Sequence, residues 1–324
     1  MTLLVGTDEA GYGPNLGPLT ICGTAWQVPD PTLDLYEALE DCVTNGDSNS
    51  IPGKITICDS KKIYSPSRSI ESLEKSVFST LVAVSGKLPK DSKQLGEMLQ
   101  IDCLANGSVP ELERIGGRTK GAKITLPLAA NRDEISELAA KFLSTCEDAG
   151  VELGEIGCRA IFPRNFNEMV GKFGNKAELL SATTLGIVKQ LIKDQQQDCR
   201  IVCDKHGGRN KYVGVLNQYL TDQFITVGQE SRGVSDYQWR HDDANFDITF
   251  RSKGESFLPT ALASMFAKYI REVAMEIMNN FWESQVPGLR PTRGYPVDAV
   301  RFKKEIAAAQ EKLGIDDSNI WRYR

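Results

Sequence analysis

Short apolar runs and amphipathic stretches alternate along the chain, and their order predicts an α/β protein. The run Leu3-Leu4-Val5 has strand character, and residues 19–26 read as a second strand after a turn rich in Gly and Pro. Residues 54–58 and 156–162 are further strands, and Arg200-Ile201-Val202-Cys203 has the composition of a buried central strand. Between them the apolar positions recur at helical spacing. Ile70, Leu73, Val77, Leu81 and Val84 share one face of a helix that Ser67 or Ser69 would cap. Other helices are predicted at 33–43 (short), 131–149, 175–193 and after Arg209 to Leu220. The longest runs from Pro259 to Trp282, with Leu262, Met265, Phe266, Tyr269, Val273, Ile277 and Phe281 on one face and Pro tolerated in its first turn. A last helix covers 297–313. Residues 45–50 form a polar loop, 86–154 is the least legible stretch, and 221–252 shows strands and polar loops without a clean period. Early strands followed by mixed helices and strands indicate an α/β fold with a mixed sheet flanked by helices.

Composition narrows the class. At 324 residues, 41% hydrophobic and 25% charged, the chain has the make-up of a soluble globular protein. No apolar run approaches a membrane span, and Met1 leads directly into a strand, so a cytoplasmic protein without a membrane partner is expected. The eight cysteines include no Cys-x-x-Cys pair and most lie in apolar surroundings, as buried thiols rather than disulfides or zinc ligands. A net charge of −5 argues against coating nucleic acid through bulk attraction, though not against a local basic groove.

The candidate chemistry is acidic. The first strand ends in Asp8-Glu9, followed by Gly11-Tyr12-Gly13-Pro14. Successive strand side chains point to opposite faces, so the two carboxylates serve one site only if the chain bends after them, and Gly11 and Gly13 permit that. Two carboxylates at a strand end suit a hard divalent cation carrying a phosphate; the alternative is an acidic pair in an ordinary hairpin. Asp204 ends the second buried run in the same way, or simply initiates a turn before Gly207-Gly208. Glu255 precedes the longest helix, as a ligand or as a stabilising charge at its N-terminus. Arg209 is a phosphate contact or a surface residue, and the Gly/basic run 114–123 is phosphate-binding or a solvated loop.

Several of these blocks resemble a known family. Gly6-Thr7-Asp8-Glu9-Ala10-Gly11-Tyr12-Gly13-Pro14 with Leu16-Gly17-Pro18 is similar to the opening signature of the type 2 ribonucleases H (ribonucleases HII and HIII). Asp59-Ser60-Lys61-Lys62, Asp204 after its apolar strand, and Lys253-Gly254-Glu255-Ser256 with Pro259, Ala263-Ser264, Ala267-Lys268 and Arg271 resemble later blocks in the same order. Arg293-Gly294-Tyr295-Pro296 is similar to the late Lys-Gly-Tyr element, and Trp321-Arg322-Tyr323-Arg324 to the basic tail.

The resemblance covers about a third of the chain by such block matching. It implies one ribonuclease H-like catalytic domain over 1–324, with an inserted subdomain at about 86–154 and a helical C-terminal part from about 256. It also implies hydrolysis of RNA in RNA–DNA hybrids or at RNA–DNA junctions, using two Mg²⁺ or Mn²⁺ ions. Asp8, Glu9, Asp204 and Glu255 would then be the metal ligands. Gly11, Tyr12, Gly13, Lys61, Lys62, Arg209 and Tyr295 would line the substrate, Tyr295 packing on a sugar. Two positions depart from the pattern: Tyr12 stands where the family has Arg or Lys, and Glu255 where it usually has Asp. The alternatives are a structure-specific nuclease of the same fold, or a nucleic-acid-binding protein with an impaired site.

Overall fold

The computed structural model of the chain describes residues 1–46, 51–64, 69–105, 123–193 and 195–323. Ser67, Arg114, Arg118, Lys120 and Arg324 lie outside these, as does most of the 45–50 loop. The main sheet has seven strands: β1 (Thr2–Ala10), β2 (Leu19–Val28), β3 (Glu152–Ile161), β4 (Cys199–Asp204), β5 (Thr226–Glu230), β6 (Val234–His241) and β7 (Ala244–Arg251). Their spatial order is β3-β2-β1-β4-β7-β6-β5. β3, β2 and β1 are antiparallel neighbours, whereas β1, β4 and β7 run parallel, so the sheet is mixed. Residues 43–44 and 55–56 form a separate two-stranded parallel pair.

Seven helices matter for the site: α1 (Glu71–Ser85), α2 (Arg132–Asp148), α3 (Pro163–Phe173), α4 (Lys176–Leu191), α5 (Val213–Tyr219), α6 (Leu258–Gln285) and α7 (Pro296–Leu313). They flank both faces of the sheet. Alternation along β1 sends Leu4 into one core with α1, α2, α6 and α7, and Leu3 and Val5 into a second core with α4 and α5. Because one sheet separates two cores, even-numbered β1 residues face α6 and odd-numbered ones face α4. No helix among the described residues is long and apolar enough to cross a membrane.

The stretch 221–252 holds three strands, and β7 is interior to the sheet, paired with β4 on one side and β6 on the other. Phe246, Ile248 and Phe250 do alternate as a half-buried strand should, but the hairpin turn at Asp242 and Asp243 breaks the window in which the period is counted. The helix expected at 33–43 is one turn, Leu35–Ala38, capped by Asp34. Pro163 does end β3, and it also opens α3, where its fixed φ suits the first turn.

Within 86–154, Asp91 caps a helix at Ser92–Met98, and α2 lies along α1 with Phe142 edge-on to Trp26 of β2 at 6.1 Å. Lys123, one of the basic-run residues, pairs with Asp91 at 3.1 Å.

Candidate functional site

The three parallel strands end side by side, and each delivers an acid there. Thr7 of β1 pairs with Cys203 of β4, which places Asp8 beside Asp204. Asp204 in turn pairs with Arg251 at the end of β7, four residues before Glu255. In open α/β sheets the crevice beyond the carboxyl ends of parallel strands is where ligands bind. One carboxylate oxygen from each of Asp8, Glu9 and Asp204 lies within 4.8 Å of the others. Asp8 is on the α6 face and Glu9 on the α4 face; both reach the same place because the sheet ends here. The bend falls one residue later than the pair itself, since β1 runs through Ala10 and Gly11 takes φ +90°.

Glu255 sits in a single 3₁₀ turn, Gly254–Ser256, entered through Lys253 in the left-handed region at φ +63°. The Gly254 N–H points at Asp204 Oδ1 at 3.5 Å, which ties this turn to β4. The start of α6 is clamped to the sheet. Thr24 Oγ1 donates to the Pro259 carbonyl at 2.9 Å, and Thr260 Oγ1 to the Val202 carbonyl at 3.1 Å. Gly6 makes this possible: a Cβ there would lie 2.1 Å from the Thr260 nitrogen. Farther along α6, the Ser264 hydroxyl acts on Asp8 and lies 3.3 Å from Ser60 Oγ, bringing the Asp59-capped turn that carries Lys61 to the same site.

The electrostatics are those of an anionic cluster short of cations. Burial pushes the Asp8 carboxyl up to about 8, with Asp204 and Glu255 adding to the rise and the Ser264 hydroxyl and Glu9 N–H opposing it. Burial, Asp8 and Asp204 hold Glu9 well above the usual carboxylate range, against Lys61. Asp204 is raised by burial and by Glu255. Burial would lower Lys61, but Asp59, Asp8, Glu255 and Asp204 together raise it, so its ammonium belongs to the cluster's surroundings. Oxygen-only donors carrying this much charge fit a hard divalent ion such as Mg²⁺ or Mn²⁺.

The remaining candidate residues surround this centre unevenly. Gly11 is required by its φ and by the Pro18 carbonyl, which a Cβ would meet at 2.6 Å; a Cβ on Gly13 would meet nothing within 4 Å, so space is open there. Tyr12 is half-buried against the α4-side core, with Lys176 Nζ 4.4 Å from its ring centroid. Arg209 is held by Glu178 of α4 at 2.6 Å. Lys62 is exposed on the same turn as Lys61. Tyr295, 55% exposed, precedes α7. Its neighbour Gly294 accepts the Asn15 N–H at 2.8 Å, which fastens this element to the glycine loop. Two buried arginines complete the fastening: Arg271 donates to the Pro18 and Leu16 carbonyls, Arg322 to those of Gly11 and Pro14.

Sequence reasoning assigns no role to Ser60, Ser264 or Lys176. The serines lie inside resembling blocks, which is the available signal; Lys176 has none, since only the fold brings α4 to Tyr12. Asp242 is 90% exposed in the β6–β7 turn, at the far end of β7 from Asp204.

No protein-family model matches the chain, and no curated protein sequence does. Among solved structures the chain is similar to ribonuclease H2 from Pyrococcus horikoshii OT3, at 15% identity over 98% of this chain and 92% of that one, TM-score 0.44. It is also similar to ribonuclease HII of Archaeoglobus fulgidus, solved in a complex with PCNA, at 14% identity over 99% and 94%, TM-score 0.41. A third is Bst ribonuclease HIII solved with Mn²⁺, at 13% identity over 99% and 66%, TM-score 0.41.

Proposed function

We propose that the chain is a metal-dependent endoribonuclease that hydrolyses the RNA strand of RNA–DNA hybrids, including ribonucleotides embedded in DNA. The observation that carries this reading is the convergence of Asp8, Glu9 and Asp204 at the ends of adjacent parallel strands, Asp8 buried and the other two half-buried, with Glu255 acting on all three. Mg²⁺ or Mn²⁺ ions bound there would supply water activation and charge neutralisation at the leaving 3′ oxygen. The chain's own part is placement. Asp8, Glu9, Asp204 and Glu255 would hold the ions, with the Ser264 hydroxyl acting on Asp8. Lys61 and Lys62 meet the substrate backbone, Gly11 and Gly13 admit it beside the carboxylates, Arg209 braces the α4 side, and exposed Tyr295 packs on a sugar.

No side chain is needed as nucleophile or general base. His206 is buried, bonded to Ser181 Oγ at 2.9 Å and pushed down to about 3 by burial, and His241 stands at the far end of the sheet. Labelled RNA–DNA hybrid, a DNA duplex with one embedded ribonucleotide, and plain DNA duplex, each with Mg²⁺ or Mn²⁺, test the reading. Cleavage of the first two, lost in Asp8→Asn, is expected. No RNA cleavage with either metal refutes it, and cutting confined to plain DNA identifies a structure-specific nuclease instead.

A further inference from the structure

The notable pair outside the carboxylates is Tyr12 with Lys176. Tyr12 lies in the loop that follows Asp8 and Glu9, and Lys176 is the first residue of α4, on the opposite face of the sheet from Lys61. The Lys176 ammonium rests on the phenol ring, 4.4 Å from its centroid. An ammonium over an aromatic face is held electrostatically by the ring quadrupole, so Tyr12 fixes where this charge sits. The same contact occupies one face of the ring, where a base or sugar would otherwise stack. The phenol oxygen lies toward Gly207, where even an added Cβ would be 3.4 Å away. Arg209, which also acts on Tyr12, pairs with Glu178 at 2.6 Å. Gly13, one residue on, borders open space.

We infer that Lys176, positioned by the Tyr12 ring, is a phosphodiester-binding residue for the nucleic-acid strand. It acts on the α4 side of the carboxylates as Lys61 does on the α6 side. The inference rests on the proposed nuclease reading and adds a contact to it. A strand drawn across the ends of β1 and β4 then meets one lysine on each side of the anionic centre, and Tyr12 serves as a platform for charge instead of a stacking surface.

A lysine on a phosphate leaves a specific thermodynamic trace. Each neutralised phosphate contributes about −0.9 to the slope of log K against log [salt]. Binding of a fluorescein-labelled RNA–DNA hybrid is measured by anisotropy from 50 to 200 mM KCl, with Ca²⁺ in place of Mg²⁺ so that the strand stays uncut. Lys176→Gln is expected to flatten the slope by about 0.9, equivalent to about a 3.5-fold smaller loss of affinity across that range. Lys176→Arg should keep the native slope. Lys172→Gln, the same charge change at an exposed position of α3, should also keep it. A Lys176→Gln slope equal to native, with or without a lower melting temperature, overturns the inference and leaves the cation–π contact as packing. Failure of the underlying reading looks different: the native chain itself then shows no saturable binding at any salt, and both fall.

Discussion

Replacing Gly6 by Ala adds one methyl group and should damage both the fold and the metal centre. The new Cβ would lie 2.1 Å from the Thr260 nitrogen, 2.2 Å from the Pro259 carbonyl carbon and 2.7 Å from the Pro259 Cβ. The two nearest atoms are backbone at the start of α6, so no rotamer change relieves them. Ordinary contact begins at about 3.4 Å, so β1 and α6 must part by more than an ångström. That movement pulls on both hydrogen bonds that clamp this turn, Thr24 to Pro259 at 2.9 Å and Thr260 to Val202 at 3.1 Å. Overpacking costs about 1–3 kcal/mol and each bond about 1 kcal/mol, giving roughly 3–5 kcal/mol in all. At about 2–4 °C per kcal/mol for chains of this order, melting should fall by roughly ten degrees. Glu255 and Ser264 flank the displaced turn, so Mn²⁺ affinity should weaken about 10–100-fold, as when supporting groups of a metal site are lost. Calorimetry and Mn²⁺ titration check both outcomes. Gly186→Ala is the matched control. It sits exposed inside α4 with nothing within 4 Å of its added Cβ, and should gain about 0.5–1 kcal/mol from helix propensity. Gly6→Ala with native melting and native Mn²⁺ affinity would refute the close approach of α6 to β1.

Other outcomes follow from the same geometry. Asp8 has its folded pKa raised to about 8 from 3.8, so the stability gained from its neutral form is full below about pH 4 and lost as pH rises through 8. Metal-free protein should therefore melt lower at pH 8.5 than at pH 5, and the gain from Mn²⁺ should grow over that window; calorimetry with EDTA showing the reverse trend contradicts it. Asp204→Asn removes repulsion from the cluster and should stabilise the metal-free chain while abolishing hybrid cleavage. If unfolding by urea shows a loss of stability instead, Asp204 is a structural carboxylate. Glu255→Asp should keep Mn²⁺ binding and Glu255→Gln should weaken it by about tenfold or more; equal isotherms would leave Glu255 as a helix-end charge.

The parts of the fold visible in the sequence are those whose signal is local. The apolar face of α6 and the buried run of β4 announce themselves by period and composition, and the acids that follow such runs mark where strands end. Gly6, by contrast, reads only as one more glycine near a turn, because its need comes from a helix more than 250 positions later in the chain. The same holds for Lys176 on Tyr12, where neither residue predicts the other. Val84 shows the limit of periodicity itself: it continues the α1 apolar face but is 37% exposed, because the core ends before the helix does. β7 was hidden for another reason, since its clean alternation follows a tight hairpin and a polar strand.

A buried carboxylate elsewhere in the chain offers a contrast to the cluster at the strand ends. Glu74 of α1 is fully buried, and its two oxygens accept the N–H groups of Leu128, Ala129 and Ala130 at 2.6–2.9 Å and the Tyr269 hydroxyl at 2.6 Å. It is a carboxylate used for structure, joining α1, α6 and the segment before α2, with donors to match its charge. Glu74→Ala should cost about 3 kcal/mol or more, since several buried donors lose their acceptor at about 1–3 kcal/mol each, yet leave Mn²⁺ affinity intact. Asp8, Glu9 and Asp204 are arranged in the opposite way. They crowd one another, Asp8 buried and Glu9 and Asp204 half-buried, with a hydroxyl, a few backbone N–H groups and the charge of Lys61 as their compensation. Glu74 is matched by surrounding donors, whereas these three raise one another's pKa at adjacent strand ends. Oxygen donors grouped in this way are a candidate site for a hard divalent cation. If Glu74→Ala lowered Mn²⁺ affinity as much as Asp8→Asn, the two kinds of buried acid would not be distinct and this inference from their contrast would fail.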